Sequence, residues 1–151
     1  MYTASNCCRL NIFLCNDAVG PPYKCPLDVV IVMDTSKSIG ANFPMLKTFV
    51  SKLVGKLDIN SGNTRVGIVA FGTQVYTTIQ LKTYKSVAPL QKAIARIKGP
   101  KGGTGTDLAL AEVCNKILKK WAGDRPNVDN VVIVITDGDS GFPAKTKVSK
   151  M

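Results

Sequence analysis

The chain has 151 residues, 45% of them hydrophobic, and is therefore long enough to bury the core of one domain. Its formal net charge of +10 favours acidic partners such as sulfated polysaccharide, anionic membrane or nucleic acid. Histidine is absent, which excludes histidine-based catalytic triads and histidine-ligated zinc. No apolar run reaches the roughly 18–20 residues needed to cross a bilayer, so no membrane span is expected.

Residues 1–24 are predicted to be a cysteine-rich leader or linker that ends in Gly20-Pro21-Pro22. Four of the five cysteines precede the first predicted strand, at Cys7, Cys8, Cys15 and Cys25. Cysteines clustered outside a core suggest disulfides and an oxidising compartment, and the odd count leaves at least one thiol unpaired within the chain. Polar residues interrupt any apolar stretch in residues 1–20, so this segment lacks the pattern of a signal peptide.

The first half of the domain is predicted to begin with a strand at Leu27–Met33, where a β-branched run is typical of a strand covered on both faces. A helix follows over Phe43–Leu57, because apolar residues recur there at three- and four-residue spacing. Asn42 is expected to be its N-cap, and Pro44 suits its first turn. Arg65–Phe71 is the second apolar strand.

In the second half, Gln74–Leu81 alternates and should pair with the preceding strand as a hairpin. Helices are predicted over Val87–Ile97 and Asp107–Trp121, followed by a strand at Asn130–Thr136 that is also expected to be buried on both faces. The third helix should place Leu108, Ala111, Leu118 and Trp121 on or near one face. Cys114, within that helix, is expected to be a small buried hydrophobic residue rather than a reactive thiol.

This order of elements predicts an α/β fold: a doubly wound, mostly parallel sheet with helices on both faces. Ligands of such sheets bind at the carboxyl ends of the strands. Three polar loops are expected at that edge, namely Asp34–Ser38, Gly102–Asp107 and Thr136–Asp139. Their oxygen-bearing side chains suit Mg²⁺, Mn²⁺ or Ca²⁺ and disfavour zinc or copper.

The three loops together resemble the metal-ion-dependent adhesion site of the von Willebrand factor A family. The resemblance rests on Asp34-x-Ser36-x-Ser38, on Gly102-Gly103-Thr104-x-Thr106, and on Ile135-Thr136-Asp137-Gly138. It implies one divalent cation, Mg²⁺ before Mn²⁺ or Ca²⁺, and partner proteins that offer an Asp or Glu carboxylate. The metal ligands carried over from the family are Asp34, Ser36, Ser38, Thr104 and Asp137. No direct role is assigned to Thr106 or Asp139.

The resemblance also bears on the extent of the domain, which we place at residues 25–151. Relative to the family pattern, we expect the last two strand–helix units to be missing, which would leave the fourth strand exposed on one side. In extracellular members a cysteine at the position of Cys25 often pairs with one after the last helix. That partner is absent, so Cys25 is expected to pair with Cys7, Cys8 or Cys15, or to stay free.

Three functions compete at this point. The leading hypothesis is a secreted adhesion or extracellular matrix module that binds a partner protein through the cation. The alternative is an intracellular von Willebrand factor A subunit of a multiprotein assembly, against which the cysteine-rich leader argues. A metal-dependent phosphohydrolase using Asp34 is disfavoured, because haloacid dehalogenase-type phosphatases have Asp-x-Asp there and residue 36 is Ser. We therefore expect no enzymatic activity.

Simpler structural explanations exist for each motif. The Asp34–Ser38 segment could be only a capped strand-to-helix turn, and Gly102–Gly105 could be a phosphate-binding nest, although it lacks the Lys-Ser/Thr ending of a P-loop. The lysines could be solvated helix faces or a surface for anionic glycans or acidic matrix; nucleic acid is not expected. The residues of that basic surface are Lys82, Lys85, Lys92, Arg96, Lys98, Lys101, Lys116, Lys119 and Lys120.

Overall fold

The structure is a computed structural model that describes residues 26–99 and 102–137. The four strands are β1 (Leu27–Asp34), β2 (Thr64–Phe71), β3 (Val75–Ile79) and β4 (Asp129–Ile135). The helices are α1 (Phe43–Lys56), α2 (Val87–Arg96) and α3 (Thr106–Glu112). The chain continues from α3 through a π-helical turn, Val113–Ile117, and then a 3-10 turn, Lys120–Ala122. The cysteine-rich leader predicted for residues 1–24 lies outside the described residues.

The sheet is open, with strand order β3-β2-β1-β4. β1 runs parallel to both β2 and β4, and β3 pairs antiparallel with β2 as the predicted hairpin. Because parallel strands share a direction, β1, β2 and β4 all end at the same edge of the sheet, which we call the carboxyl edge. The polar loops predicted to form the site follow β1 and β4 directly at this edge.

Helices cover the sheet on both faces. Val29, Ile31 and Met33 point toward a core shared with α1 and α2, whereas Val30 and Val32 face a second core shared with α3 and the π-helical turn. This alternation explains why β1 is apolar along nearly its whole length, since every side chain of a doubly covered strand is buried. The predicted doubly wound α/β fold is confirmed.

β4 differs from its prediction of burial on both faces. Every residue of β4 keeps some exposure, and Val134 is 40% exposed. The reason is topological, because β4 lies at the end of the strand order among the described residues. The partial exposure agrees with the expectation that the outer side of this strand is incompletely covered.

Two predictions about the helices need comment. Asn42 is the N-cap of α1, as predicted, but its side chain makes no capping bond, because a 3-10 turn at Gly40–Asn42 leads into the helix and Asn42 has helical dihedrals. The predicted face of the third helix is wrong, since the buried hydrophobic residues of that segment are Ala109, Val113, Ile117 and Leu118, whereas Leu108 and Trp121 are about half exposed. The small Ala109, and not a large apolar residue, faces the sheet, so α3 packs close to it.

Cys114 also differs from expectation. It lies in the π-helical turn, is half-buried and is disulfide-bonded, not a thiol packed in the core. Its partner lies outside the described residues. The disulfide therefore fixes the π-helical turn to another part of the chain.

The edge of the sheet opposite the carboxyl edge is held by an ion pair. The Asp28 carboxylate, fully buried at the start of β1, lies 2.7 Å from the Arg125 guanidinium. The same guanidinium donates to the carbonyl oxygens of Leu27 and Asn63, each at 2.9 Å. Arg125 thereby ties the loop before β4 to the start of β1 and the turn before β2. None of the described helices is long and apolar enough to cross a membrane.

Candidate metal centre

The loop after β1 is folded around the carboxylate of Asp34. Asp34 is fully buried, and its Oδ1 accepts a hydrogen bond from the backbone N–H of Ser36 at 2.7 Å. Two residues farther on, the hydroxyl oxygens of Ser36 and Ser38 lie 2.8 Å apart. Asp34, Ser36 and Ser38 are three of the five predicted ligands, and the loop brings the two serine hydroxyls together while the Asp34 carboxylate contacts the Ser36 backbone.

Thr35 fixes this loop against the end of β2. Its backbone N–H and its hydroxyl both donate to the carbonyl oxygen of Phe71, at 2.6 and 2.8 Å. Because Thr35 is fully buried, these bonds are shielded from water. They fix the direction in which the chain leaves β1. Thr35 thus has a positioning role that the sequence motif, which skips it, did not indicate.

The second loop, which carries Thr104, lies beside the first. The backbone N–H of Lys37 donates to the carbonyl oxygen of Gly102 at 3.0 Å, which joins the two loops directly. The Gly105 N–H donates to the Gly72 carbonyl oxygen at 2.7 Å, and a Cβ added at Gly105 would lie 3.0 Å from that oxygen. The absence of a side chain at residue 105 lets the loop approach β2 closely. Thr104 is buried there, 8% exposed.

The third loop reaches Asp34 through a residue that the sequence analysis did not assign as a ligand. Thr136 Oγ1 donates a hydrogen bond of 2.8 Å to Asp34 Oδ2, which links the residue after β4 to the end of β1. The predicted ligand Asp137 comes next along the chain and is exposed. The signal for Thr136 was present in the sequence, since a threonine at the end of an apolar strand at this edge can bond a neighbouring carboxylate.

The donor set and one distance fit a small hard cation. In an octahedral site with metal–oxygen bonds of about 2.0–2.1 Å, neighbouring ligands lie about 2.9 Å apart. The Ser36 and Ser38 hydroxyls are joined by a hydrogen bond of 2.8 Å, so they are already close enough together to be neighbouring ligands of such an ion. Within residues 26–99 and 102–137 no three His, Cys, Asp or Glu side chains form a metal cluster.

The remaining polar residues of these loops are placed as follows. Thr106 is 5% exposed at the start of α3, and Asp139 lies outside the described residues. Asp107, in the first turn of α3, has a buried Oδ1 without a hydrogen-bond partner in the described part of the chain. Asp107 belongs to the second predicted polar loop but is not among the predicted ligands.

Comparisons with known sequences identify the family of the domain and several relatives. The sequence profile of the von Willebrand factor type A domain matches residues 28–151. Matrilin-3 of Gallus gallus is 34% identical over 117 residues, and matrilin-1 of Mus musculus is 38% identical over 117 residues. Each match covers 75% of this chain but only 26% and 23% of the matrilin, so the chain spans about a quarter of their length.

Solved structures with a similar fold include a matrix protein that carries the same kind of motif. Proximal thread matrix protein 1 from the mussel byssus superposes with a TM-score of 0.71 at 27% identity, over 78% of this chain and 32% of that protein. A second structure of it, with zinc in its metal-ion-dependent adhesion site motif, has a TM-score of 0.70, 26% identity and the same coverage. The byssal protein therefore takes zinc at its motif, so this comparison does not support the expectation that zinc is disfavoured.

Proposed function

Because the chain belongs to the von Willebrand factor type A domain family, we propose that it binds a partner protein through a divalent cation held at the carboxyl edge of the sheet. The observation that carries this proposal is the convergence of the loops after β1 and β4 on the buried Asp34 carboxylate. Asp34, Ser36, Ser38, Thr104 and Asp137 are the proposed ligands.

The residues of such a site would have different roles. The hydroxyls of Ser36 and Ser38 would coordinate directly, while Asp34 compensates the positive charge and keeps the loops in place through its bonds to Ser36 and Thr136. The five proposed ligands would leave one position of a six-coordinate divalent ion open to an outside ligand, while their two carboxylates would balance its formal charge. When bound, the ion supplies an electrophilic position for an outside carboxylate.

The proposed partner is therefore a protein that presents an Asp or Glu side chain at its surface. Mg²⁺ is the proposed ion, with Mn²⁺ and Ca²⁺ as alternatives, because all five ligands are hard oxygens. Sulfated glycans are a second proposed partner, since the formal net charge is +10. The proposed role is binding without chemical conversion of the partner.

The proposed location is the extracellular matrix. Matrilins are secreted proteins of the extracellular matrix, and the byssal protein is by name a matrix protein. The disulfide at Cys114 independently favours an oxidising compartment. Both observations fit an extracellular module better than the intracellular assembly subunit considered as the alternative.

The proposal is tested by capture of partners from an extract of extracellular matrix on the immobilised chain, in Mg²⁺ and again in EDTA. Binding should require Mg²⁺ and should be lost when the carboxyl groups of the extract are amidated beforehand. Ser38→Ala should weaken the binding, and Ser61→Ala, a change at another exposed serine far from the site, should not. Capture of the same proteins in EDTA, or by amidated extract, would contradict the proposal.

A further inference from the structure

The basic residues predicted to form one surface fall on two faces of the molecule. Lys92 and Arg96 lie on α2, which packs beside α1 on one face of the sheet. Lys119 and Lys120 follow the π-helical turn on the opposite face. Lys116 is also on that face, but it forms an ion pair with Glu112 at 3.1 Å. The +10 charge is therefore not a single continuous patch.

Three of these lysines lie near an exposed tryptophan, two of them immediately before it in the chain and one across a backbone hydrogen bond. The 3-10 turn contains Lys120 and Trp121, and its Ala122 carbonyl oxygen accepts a hydrogen bond of 3.0 Å from the backbone N–H of Lys82. Gly123 ends the turn with a φ of +103°, and a Cβ there would lie 2.7 Å from Lys82 N. These contacts bring the segment after β3 against the turn. The group consists of Lys82, Lys119, Lys120 and Trp121, and we call it the tryptophan–lysine turn.

The side chains of the turn face water. Lys82, Lys119 and Lys120 are exposed, and Trp121, the only tryptophan of the chain, is 55% exposed. A half-exposed indole contributes little to the core, whereas tryptophan is enriched at the centres of binding sites. Asp124 follows the turn, and one of its carboxylate oxygens is buried. The three amines remain available to an anionic partner.

The turn lies at the opposite end of the sheet from the candidate metal centre. β3 runs antiparallel to β2 and ends near Ile68, so the chain continues from there toward the start of β2. At that end Arg65 Nη1 donates to the Gly123 carbonyl oxygen at 2.7 Å. Asp34 lies at the far end of β1, eight residues long. Arg65 pairs with Asp28, six residues before Asp34, and six residues of strand separate the two sites by about 20 Å.

From this arrangement we infer that the tryptophan–lysine turn is a second binding site, which takes a sulfated polysaccharide. The indole face provides an apolar, electron-rich surface for the C–H groups of a sugar ring, and the three lysines around it bind sulfate groups. Among polyanions a sulfated glycan combines anionic groups with the apolar faces of sugar rings, which suits lysines placed beside an exposed indole. The site would let one module hold a glycan at one end and a protein at the other.

This inference specifies the glycan partner named in the proposed function, but it does not depend on the cation. Glycan binding should persist in EDTA and in Ser38→Ala, while cation-dependent protein capture should persist in variants of the turn. Loss of glycan binding alone would therefore contradict this inference, and loss of cation-dependent protein capture alone would contradict the proposed function.

The test uses the intrinsic fluorescence of Trp121 during titration with a size-defined heparin oligosaccharide. Because the chain has one tryptophan, any change in emission reports on this turn directly. We expect saturable quenching or a wavelength shift at low salt, with and without EDTA, and no change with fully desulfated oligosaccharide. Binding detected by calorimetry without any change in emission would place the glycan elsewhere and overturn the inference.

Variants that remove equal charge from different places distinguish binding at this turn from non-specific attraction of heparin to the positively charged surface. Lys119→Ala/Lys120→Ala should weaken heparin binding about tenfold and reduce the log–log salt slope by about one per lysine. Lys92→Ala/Arg96→Ala removes the same charge from α2 and should change affinity by less than about threefold. Trp121→Ala should weaken retention on a heparin column while leaving the salt slope unchanged. Equal losses in both charge pairs, or equally tight binding of a DNA duplex of matched charge, would contradict the site.

Discussion

Thr136 Oγ1 and Asp34 Oδ2 are joined by a hydrogen bond of 2.8 Å although they are 102 residues apart in the sequence. Asp34 ends β1 and Thr136 follows β4, so the bond connects two neighbouring parallel strands where they leave the sheet. The other carboxylate oxygen of Asp34 accepts from the backbone N–H of Ser36. Asp34 is therefore fixed from two loops before any ligand arrives.

Thr136→Val should weaken divalent-cation affinity about tenfold, because groups that orient a metal ligand commonly contribute that much. The free energy of unfolding without metal should fall by only about 1 kcal/mol, the value of one hydrogen bond. Calorimetry with Mn²⁺ measures the first quantity and urea denaturation the second. Thr78→Val, which removes a 2.7 Å hydroxyl–carboxylate bond to Glu112 on an exposed surface, is the control and should leave cation affinity unchanged.

Gly105→Ala should displace the loop that carries Thr104, since the new Cβ would lie 3.0 Å from the backbone oxygens of Gly72 and Thr73. We expect a loss of about 1–3 kcal/mol in the free energy of unfolding, together with weaker cation binding. Gly55→Ala in α1 is the matched control, because its Cβ has an ordinary contact of 3.4 Å and alanine favours a helix interior. Unchanged cation affinity in Gly105→Ala would show that the loop position is unimportant for the site.

Arg125→Met should lower the free energy of unfolding by about 3–5 kcal/mol, because it leaves the fully buried Asp28 carboxylate without its charged partner. Cation affinity of the folded variant should not change, since this ion pair lies at the opposite edge of the sheet. Denaturant titration and Mn²⁺ calorimetry check the two statements. Arg96→Met, at an exposed position on α2, should affect neither quantity by more than a few tenths of a kcal/mol.

The disulfide at Cys114 should contribute about 2–4 kcal/mol to the free energy of unfolding, as cross-links of the unfolded chain commonly do. Cys114→Ser should lower stability by that amount under oxidising conditions, and reductant should remove the difference from wild type. Peptide mapping without reduction should find Cys114 in a linked peptide. A Cys114 thiol that alkylates freely in the native protein would refute this assignment.

The strands could be predicted well from the sequence, because a strand packed on both faces has a short, nearly continuous run of apolar and often β-branched residues. Leu27–Asp34 is apolar along nearly its whole length, and the structure covers it on both faces. Because parallel strands end at the same edge of a sheet, the loops that carry Asp34 and Asp137 could be placed at one edge from the predicted strands alone. These features depend on residue type and order and therefore can be derived without coordinates.

Other features depended on three-dimensional contacts that residue types do not reveal. The third helix was assigned a face containing Leu108 and Trp121, but the structure buries the small Ala109 instead, because close packing on β1 and β2 favours a small side chain. Cys114 was expected to pack as a small hydrophobic residue, since one cysteine in a helix has no local signal of a distant partner. Thr136 lies in the third polar loop, but the sequence alone does not pair it with Asp34, which is adjacent to it only across the sheet.

The most direct test of the cation site is Mn²⁺ and Mg²⁺ calorimetry on wild type, Asp34→Ala and Asp129→Ala. Asp129 begins β4 at the opposite edge, so its variant removes the same charge without touching the loops. Ser38→Ala, a change at an exposed position, is measured as well in case Asp34→Ala unfolds. We predict one cation per wild-type and Asp129→Ala chain, and affinity at least about tenfold weaker in Asp34→Ala and Ser38→Ala. Equal affinities in all four proteins would contradict the proposed ligands.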